Sequence, residues 1–256
     1  MKTIKKAKMS FSAGKWPPDP AKPTLVFIHG AGGAKELWEK QVDALADAAN
    51  TIAIDLPGHG DSEGPPNKSV DGYARAVRDF VRAVSAPMPV PVGLSMGGAI
   101  AQTMLLDYPD LFTAGVLVST GARLKVMPAI IETVENDFPA FLKMMDKFSI
   151  SKDSDPAAIA RLQEKTAALP PATVAGDFRA CDAFDAMDRL GEIEVPVLVV
   201  AAADDVLTPP KYGAFLADKI EGARLAEIPG AGHLVPLEKP HDTNKAIRDF
   251  LGSMMG

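Results

Sequence analysis

Cysteine is almost absent from this chain of 256 residues, and long apolar runs are absent altogether. The single cysteine, Cys181, excludes an internal disulfide and a zinc site built on several cysteines. No run approaches the roughly 18 uninterrupted apolar residues that a membrane helix needs. Cationic residues are also in deficit, with 27 Lys and Arg against 33 Asp and Glu. Because nucleic acids and anionic membranes bind clustered cations, neither is expected as a partner.

Histidines and phosphate-binding motifs are scarce too. Four histidines are spread along the chain, and neither a G-x-G-x-x-G nor a P-loop pattern occurs, so we expect no metal and no organic cofactor. The N-terminal lysines (Lys2, Lys5, Lys6 and Lys8) are not followed by the apolar run of about 7–15 residues that a signal peptide requires. An edge strand with its lysines facing water is the simpler interpretation. The expected location is therefore the cytoplasm.

Short apolar runs rich in β-forming residues are what the chain does contain. They lie at residues 24–28, 51–55, 88–92, 114–118, 195–201 and 224–228. Runs of this length are typical of strands buried on both faces, although Pro89 and Pro91 disfavour the third. Helical patterns separate the runs. This alternation predicts a three-layer α/β fold with a mostly parallel sheet.

One interval is much longer than the alternation requires. About 75 residues separate Ser119 from Val195, whereas a crossover needs only a dozen or more. Apolar residues recur every three or four positions from 127 to 148, which predicts helical structure that Pro139 divides into two helices. Further helices are predicted over residues 156–169 and 174–190.

We therefore expect residues 121–191 to form a helical cap over the carboxyl edge of the sheet, inserted into a core made of residues 1–120 and 192–256. The apolar stripe must in part pack this cap onto the sheet. Some of its side chains are also expected to line a substrate pocket. The candidates for substrate binding are Val134, Phe138, Phe141 and Met145.

The segment Gly93-Leu94-Ser95-Met96-Gly97-Gly98 points to nucleophilic chemistry. It has the pattern G-x-S-x-G and lies between a predicted strand and a predicted helix. A serine on such a tight turn projects its hydroxyl away from the sheet, while the glycines let strand and helix approach each other. The helix N-terminus directs backbone N–H groups toward developing negative charge. Ser95 is therefore the candidate nucleophile.

A serine hydroxyl needs a base to take its proton. In enzymes whose nucleophilic serine lies on a turn between a strand and a helix, the base follows both the nucleophile and the acid in the chain. This order leaves His233 and His241 as candidates for the base. His233 ends a glycine-rich turn just after the sixth apolar run, where a loop can carry an imidazole over Ser95. His241 follows Pro240 and fits an exposed position at the start of the last helix. We favour His233.

The imidazole in turn needs an orienting acid. Asp204 and Asp205 follow the fifth apolar run, at the strand end where ligands bind in open α/β sheets. One of them is expected to reach His233 and the other to cap the turn. Spacing alone does not choose between them.

Two further segments follow strands. His29-Gly30-Ala31-Gly32-Gly33 follows the first apolar run, and its glycines let backbone N–H groups face a ligand, as an oxyanion hole requires. The segment from Asp55 to Ser62 follows the second run and is expected to be a structural loop. A catalytic role for His59 within it is disfavoured, because His59 precedes Ser95 in the chain.

Taken together, these segments resemble the α/β-hydrolase superfamily. The matching pieces span most of the chain: His29-Gly30, Asp55 to Ser62, Gly93 to Gly98, Asp205 to Pro209, and Gly232-His233. The resemblance implies an eight-stranded sheet with a cap inserted after the sixth strand. It also implies that Ser95 is the nucleophile, that His233 is the base, and that Asp205 rather than Asp204 is the acid, because the acid stands four residues before a proline. The implied oxyanion donors are the backbone N–H groups of Ala31 and Met96. Leu94 stands where many relatives carry a histidine, and this difference is expected to alter the packing near the nucleophile without abolishing the chemistry.

The expected reaction is hydrolysis of a small or medium, largely apolar carboxylic ester through an acyl-enzyme on a Ser-His-Asp triad. Lactonases, C–C bond hydrolases acting on β-diketones and cofactor-free haloperoxidases share this scaffold, and each remains an alternative. An alternative of another class is a protein that binds a ligand without catalysis. The expected partner is a small molecule, and the sequence predicts no oligomeric state.

Overall fold

The computed structural model of the protein describes residues 3–254, except for the side chain of Asp146. Met1, Lys2, Met255 and Gly256 lie outside the described residues, and with them the predicted exposure of Lys2 and the two ends of the predicted core.

An eight-stranded sheet forms the centre of the fold. Its strands are β1 (Thr3–Lys6), β2 (Met9–Ala13), β3 (Thr24–Ile28), β4 (Asn50–Ile54), β5 (Pro89–Leu94), β6 (Gly115–Val118), β7 (Val197–Ala202) and β8 (Arg224–Ile228). Their order is β1-β2-β4-β3-β5-β6-β7-β8. The β1–β2 and β2–β4 pairs are antiparallel and the remaining pairs are parallel. The predicted fold class is confirmed.

Every residue of β3 to β7 is buried, as continuous apolar runs predict. The two prolines do not prevent β5 from forming. Pro89 and Pro91 pair with β3, whereas the ladder between β5 and β6 starts only at Val92. The missing proline N–H groups therefore remove little from the sheet.

Helices cover both faces of the sheet. Those of the core are α1 (Glu39–Ala44), α2 (Val70–Ala83), α3 (Met96–Asp107), α8 (Pro210–Lys219), α9 (Val235–Glu238) and α10 (Pro240–Met254). Helices α2, α3 and α8 share one apolar cluster with the sheet, and α1 and α10 share the cluster on the opposite face. No helix of the described chain is long and apolar enough to cross a membrane.

The segment between β6 and β7, residues 119–196, is called the insert below. It contains α4 (Pro128–Asn136), α5 (Phe138–Phe148), α6 (Ala160–Ala167) and α7 (Pro171–Ala183). The division between α4 and α5 falls at Asp137, whose carboxylate accepts a hydrogen bond from the N–H of Ala140 and so caps α5. Pro139 occupies the first turn of α5. An N–H group there has no acceptor within the helix, so a proline removes no helical hydrogen bond.

The predicted helix over residues 174–190 differs from the observed one. Helix α7 begins earlier, with Pro171 in its first turn, and ends at Ala183. Beyond it Asp185 forms an antiparallel bridge with Arg123, and the N–H of Ala186 donates to the carbonyl of Ala122 over 2.8 Å. These backbone contacts replace the last helical turns.

Candidate active site

Ser95 occupies a strained turn between β5 and α3. Its backbone has φ 56° and ψ −117°, a conformation that residues with a side chain rarely adopt. The glycines around it are required by close packing. A Cβ on Gly93 would lie 2.0 Å from the carbonyl oxygen of Gly97, and a Cβ on Gly97 would lie 2.3 Å from that of Ile28. Strand, turn and helix thus hold the half-buried Ser95 at the carboxyl end of β5.

His233 is held by Asp205. The His233 Nδ1 atom lies 2.8 Å from Asp205 Oδ2, and both residues are buried. Asp205 Oδ2 also accepts from the Thr208 hydroxyl over 2.7 Å, while Oδ1 accepts from the N–H groups of Leu207 and Thr208, each over 2.9 Å. Burial alone would raise the pKa of Asp205, but the imidazole and these hydrogen bonds hold that pKa below its ordinary value. Asp205 is therefore a carboxylate facing Nδ1, which leaves Nε2 free to act as a base.

The neighbouring candidates lie elsewhere. Asp204 Oδ2 accepts from the hydroxyl of Ser151 over 2.7 Å, and so joins the insert to the end of β7. His241 is exposed at the start of α10. Of the two aspartates that spacing leaves open, Asp205 contacts His233, whereas Asp204 contacts Ser151.

Ser95 and His233 line the same cavity. Its volume is about 540 Å³, and its wall combines the core with the insert. No hydrogen bond joins the Ser95 hydroxyl to His233 anywhere in the part of the chain that the structure describes. Most of the wall is apolar, with side chains that include Leu94, Ile130, Phe141, Leu142, Met145 and Phe178. The charged side chains that line it, Lys125 and Glu164, are exposed to solvent.

The predicted oxyanion donors lie beside this cavity. Gly30 and Ala31 line it. They belong to the glycine turn, residues 29–33, which is closed by a 3.1 Å hydrogen bond from the N–H of Gly33 to the carbonyl of Gly30. A Cβ on Gly30 would lie 3.2 Å from Ser95 Cβ, so the turn runs close to the serine. Among the described residues the N–H groups of Ala31 and Met96 donate to no protein acceptor. Met96 is the first residue of α3, where no intrahelical acceptor exists.

The four predicted substrate-binding residues divide into two pairs. Phe141 and Met145 line the cavity, whereas Val134 and Phe138 do not. Val134 is fully buried between the insert helices, and Phe138 stacks on Phe141 with ring centroids 5.8 Å apart. Their positions on α4 and α5 direct them to the core of the insert. We therefore retain only Phe141 and Met145 as substrate-binding candidates.

Two further histidines, His29 and His59, are buried and make hydrogen-bond contacts within the fold. His29 Nδ1 lies 2.8 Å from the carbonyl of Gly30, and its Nε2 accepts from the N–H of Leu56 over 3.1 Å, so one neutral tautomer satisfies both contacts. Burial lowers the pKa of His29 to about 4. His59 lies 2.8 Å from Asp177 on α7. No group of three or more candidate metal ligands occurs among residues 3–254 as described.

Sequence reasoning did not find Thr208 or Asp177. Thr208 stands three residues after Asp205, where a hydroxyl is a common turn residue, so its position carried no separate signal. Asp177 contacts residues 104 to 145 positions away, in three other segments. An acidic residue in a helical stretch is ordinarily exposed, and only the fold shows that Asp177 is fully buried.

Several known proteins resemble this chain in sequence and fold. Residues 25–246 match the sequence model of the alpha/beta hydrolase family. A Mycobacterium tuberculosis protein, provisionally named non-heme bromoperoxidase BpoC, is 29% identical over 90% of this chain and 94% of its own length. A pimeloyl-[acyl-carrier protein] methyl ester esterase of Neisseria meningitidis is 27% identical over 91% and 94%. The solved structure of a thermophilic esterase is 31% identical, covers 98% of this chain and 97% of its own, and superposes with a TM-score of 0.82. The protein belongs to the alpha/beta hydrolase family.

Proposed function

We propose that this protein is a serine hydrolase that cleaves a small or medium, largely apolar carboxylic ester. The observation that carries the proposal is that Asp205-bound His233 shares one cavity with Ser95, which stands on a strained turn. The family and the esterases among its relatives support the reaction class.

The proposed reaction begins when Ser95 Oγ attacks the ester carbonyl carbon and its proton passes to His233 Nε2. The carbonyl oxygen becomes an oxyanion, which accepts hydrogen bonds from the N–H groups of Ala31 and Met96. Removing one such donor typically costs about 3 kcal/mol of transition-state stabilisation. Asp205 stabilises the imidazolium, as its lowered pKa favours.

The tetrahedral intermediate then collapses. The bond to the alcohol oxygen breaks, and His233 returns its proton to that oxygen, which leaves an ester between Ser95 and the acyl group. Water attacks this acyl-enzyme with His233 again acting as base. The carboxylic acid leaves and the hydroxyl of Ser95 is restored, so atoms and charges balance over the cycle.

The apolar wall of the cavity supports an uncharged, apolar acyl or alcohol group, since a buried charge without a partner is costly. A volume of about 540 Å³ lies within the range of small-molecule sites. We further infer that residues 121–191 act as a cap on a core of residues 1–120 and 192–256, because α5 and α7 supply part of this wall through Phe141 and Phe178.

The test compares two serines that line the same cavity. Ser95→Ala is expected to abolish turnover of a short p-nitrophenyl ester and labelling by a fluorophosphonate. Ser149→Ala is the matched control, because the Ser149 hydroxyl is buried without a hydrogen bond among the described residues. It is expected to retain both. Turnover by Ser95→Ala would refute the proposal, and a folded wild-type protein that neither turns over esters nor labels would indicate ligand binding without catalysis.

A further inference from the structure

Asp177 is a fully buried carboxylate that the proposed reaction does not use. It lies on α7 of the insert and accepts three hydrogen bonds. Its Oδ2 atom accepts from the N–H of Gly32 over 2.9 Å and lies 2.8 Å from His59 Nε2, and its Oδ1 accepts from the hydroxyl of Tyr73 over 2.7 Å. One insert side chain therefore meets three segments of the core.

His59 neutralises this carboxylate. Both of its ring nitrogens face acceptors: Nε2 faces Asp177 and Nδ1 lies 3.2 Å from the carbonyl of Pro57. A neutral imidazole has a single N–H, so only the imidazolium satisfies both contacts. Although burial opposes the charged form, the contact with Asp177 raises the pKa of His59. Asp177 and His59 thus form a buried ion pair, and the cost of burying each charge is offset by its partner.

Gly32, the core residue that Asp177 holds, directly follows Ala31 in the glycine turn. Side chains of the insert form hydrogen bonds with both the N–H and the carbonyl of this residue. Asp177 on α7 binds its N–H, and the hydroxyl of Thr166 on α6 donates to its carbonyl over 2.9 Å. Gly32 has φ +62°, and a Cβ there would meet Val174 at 3.2 Å. A glycine-rich turn has little conformational preference of its own, so these contacts add to the Gly33–Gly30 hydrogen bond in fixing its conformation.

We propose that Asp177 is a positioning residue that, through the N–H of Gly32, aims the N–H of Ala31 at the oxyanion of the reaction. The inference rests on the proposed serine hydrolase function and deepens it. The insert then contributes to chemistry as well as to the cavity wall, because displacing α7 releases the turn. A donor displaced by about 1 Å can cost a hundredfold in rate.

The experiment removes all three contacts of Asp177 together and, for comparison, the contact with Tyr73 alone. Asp177→Ala releases Gly32 and is expected to lower kcat about tenfold to a hundredfold with little change in KM. Asp177→Asn retains a carbonyl oxygen for the N–H of Gly32 and is expected to recover most of the activity. Tyr73→Phe is the matched control: it leaves Oδ1 without its partner but keeps both contacts of Oδ2. It is expected to lower Tm while kcat stays within about threefold of wild type.

A second readout reports on the oxyanion hole itself. A trifluoromethyl ketone forms a hemiketal oxyanion on a serine, so its affinity is expected to fall in parallel with kcat in Asp177→Ala. The affinity of the matching methyl ketone, which binds without that charge, is expected to stay constant. All kinetics are measured well below the Tm of each variant. Thr166→Val, which removes the other contact to Gly32, is expected to lower kcat and the trifluoromethyl ketone affinity about threefold to tenfold.

The outcomes separate the two proposals. If Ser95→Ala is inactive while folded Asp177→Ala retains wild-type kcat and trifluoromethyl ketone affinity, the positioning role is refuted and the serine hydrolase stands. Equal losses of kcat in Asp177→Ala and Tyr73→Phe also refute it, since stability alone then explains both. If Asp177→Ala does not fold, an unchanged Thr166→Val refutes the claim that the insert holds the turn.

Discussion

Asp205→Asn is the substitution for which the structure gives the sharpest expectation. Asp205 Oδ1 is fixed by two backbone donors, the N–H groups of Leu207 and Thr208. An asparagine must therefore place its carbonyl oxygen there and turn its amide nitrogen toward His233. That nitrogen donates and cannot accept, so Nδ1 of His233 becomes the acceptor and the ring proton moves to Nε2. A protonated Nε2 cannot take the proton of Ser95.

The loss in rate follows from this tautomer. In serine proteases the same exchange lowers kcat about 10⁴-fold, which corresponds to about 5.4 kcal/mol of activation free energy. Stability is expected to change far less, by about 1–2 kcal/mol, because the amide preserves the contacts of Oδ1 and loses only charge-assisted hydrogen bonds at Oδ2. The substitution thus separates catalysis from folding.

Turnover of a short p-nitrophenyl ester and urea unfolding measure the two effects. Asp204→Asn is the matched control, since Asp204 contacts Ser151 and not His233. It is expected to retain turnover within about threefold of wild type. A folded Asp205→Asn protein within about tenfold of wild type would show that the tautomer of His233 does not govern the rate, and the reasoning from the Asp205 contacts would fail.

Three further substitutions test other parts of the structure. Gly97→Ala places a Cβ 2.3 Å from the carbonyl oxygen of Ile28, so it is expected to lower both Tm and esterase activity, whereas Gly176→Ala, with open space in α7, is expected to raise stability by about 0.5–1 kcal/mol. Phe141→Ala is expected to cost about 3–5 kcal/mol in urea unfolding and to move the preference across a p-nitrophenyl ester series toward bulkier acyl groups; an unchanged preference would remove Phe141 from the substrate site. Because burial lowers the pKa of His29 to about 4, below its ordinary 6.5, the unfolded chain binds the extra proton in that window. The free energy of unfolding is therefore expected to fall as pH drops from 6.5 toward 4, and His29→Gln is expected to flatten that dependence; equal slopes would contradict it.

The sequence predicts the sheet better than the site. Apolar runs such as Thr24–Ile28 are strands because both faces are buried, and burial leaves a continuous pattern in the sequence. The sequence pattern does not predict strand β2, residues Met9–Ala13, because Ser10 and Ser12 interrupt its apolar residues, yet both serines are buried. The fold class could therefore be predicted from the sequence, whereas the position of β2 becomes clear only from its pairing with β4 in the structure.

The site was predictable where a motif carries it. The turn at Ser95 can be recognised in the sequence because it requires glycine at positions 93 and 97, where backbone atoms occupy the space of any side chain. The direction in which each residue of the insert helices points was harder to predict. Val134 and Phe138 share the apolar stripe with Phe141, but the stripe does not show which of its residues face the cavity and which face another helix. The partners of Asp177 lie in distant segments, and no local pattern announces them.

The adjacency of β3 and β5 has a practical consequence for engineering. Ile28 pairs with Gly93, so the glycine turn and the serine turn leave the sheet from neighbouring strands, about 4.8 Å apart. Backbone hydrogen bonds, and not the side chains that select a substrate, set this spacing. A mutant library confined to the insert positions that line the cavity, other than Thr166, therefore varies the cavity wall while the spacing of the two turns stays unaltered.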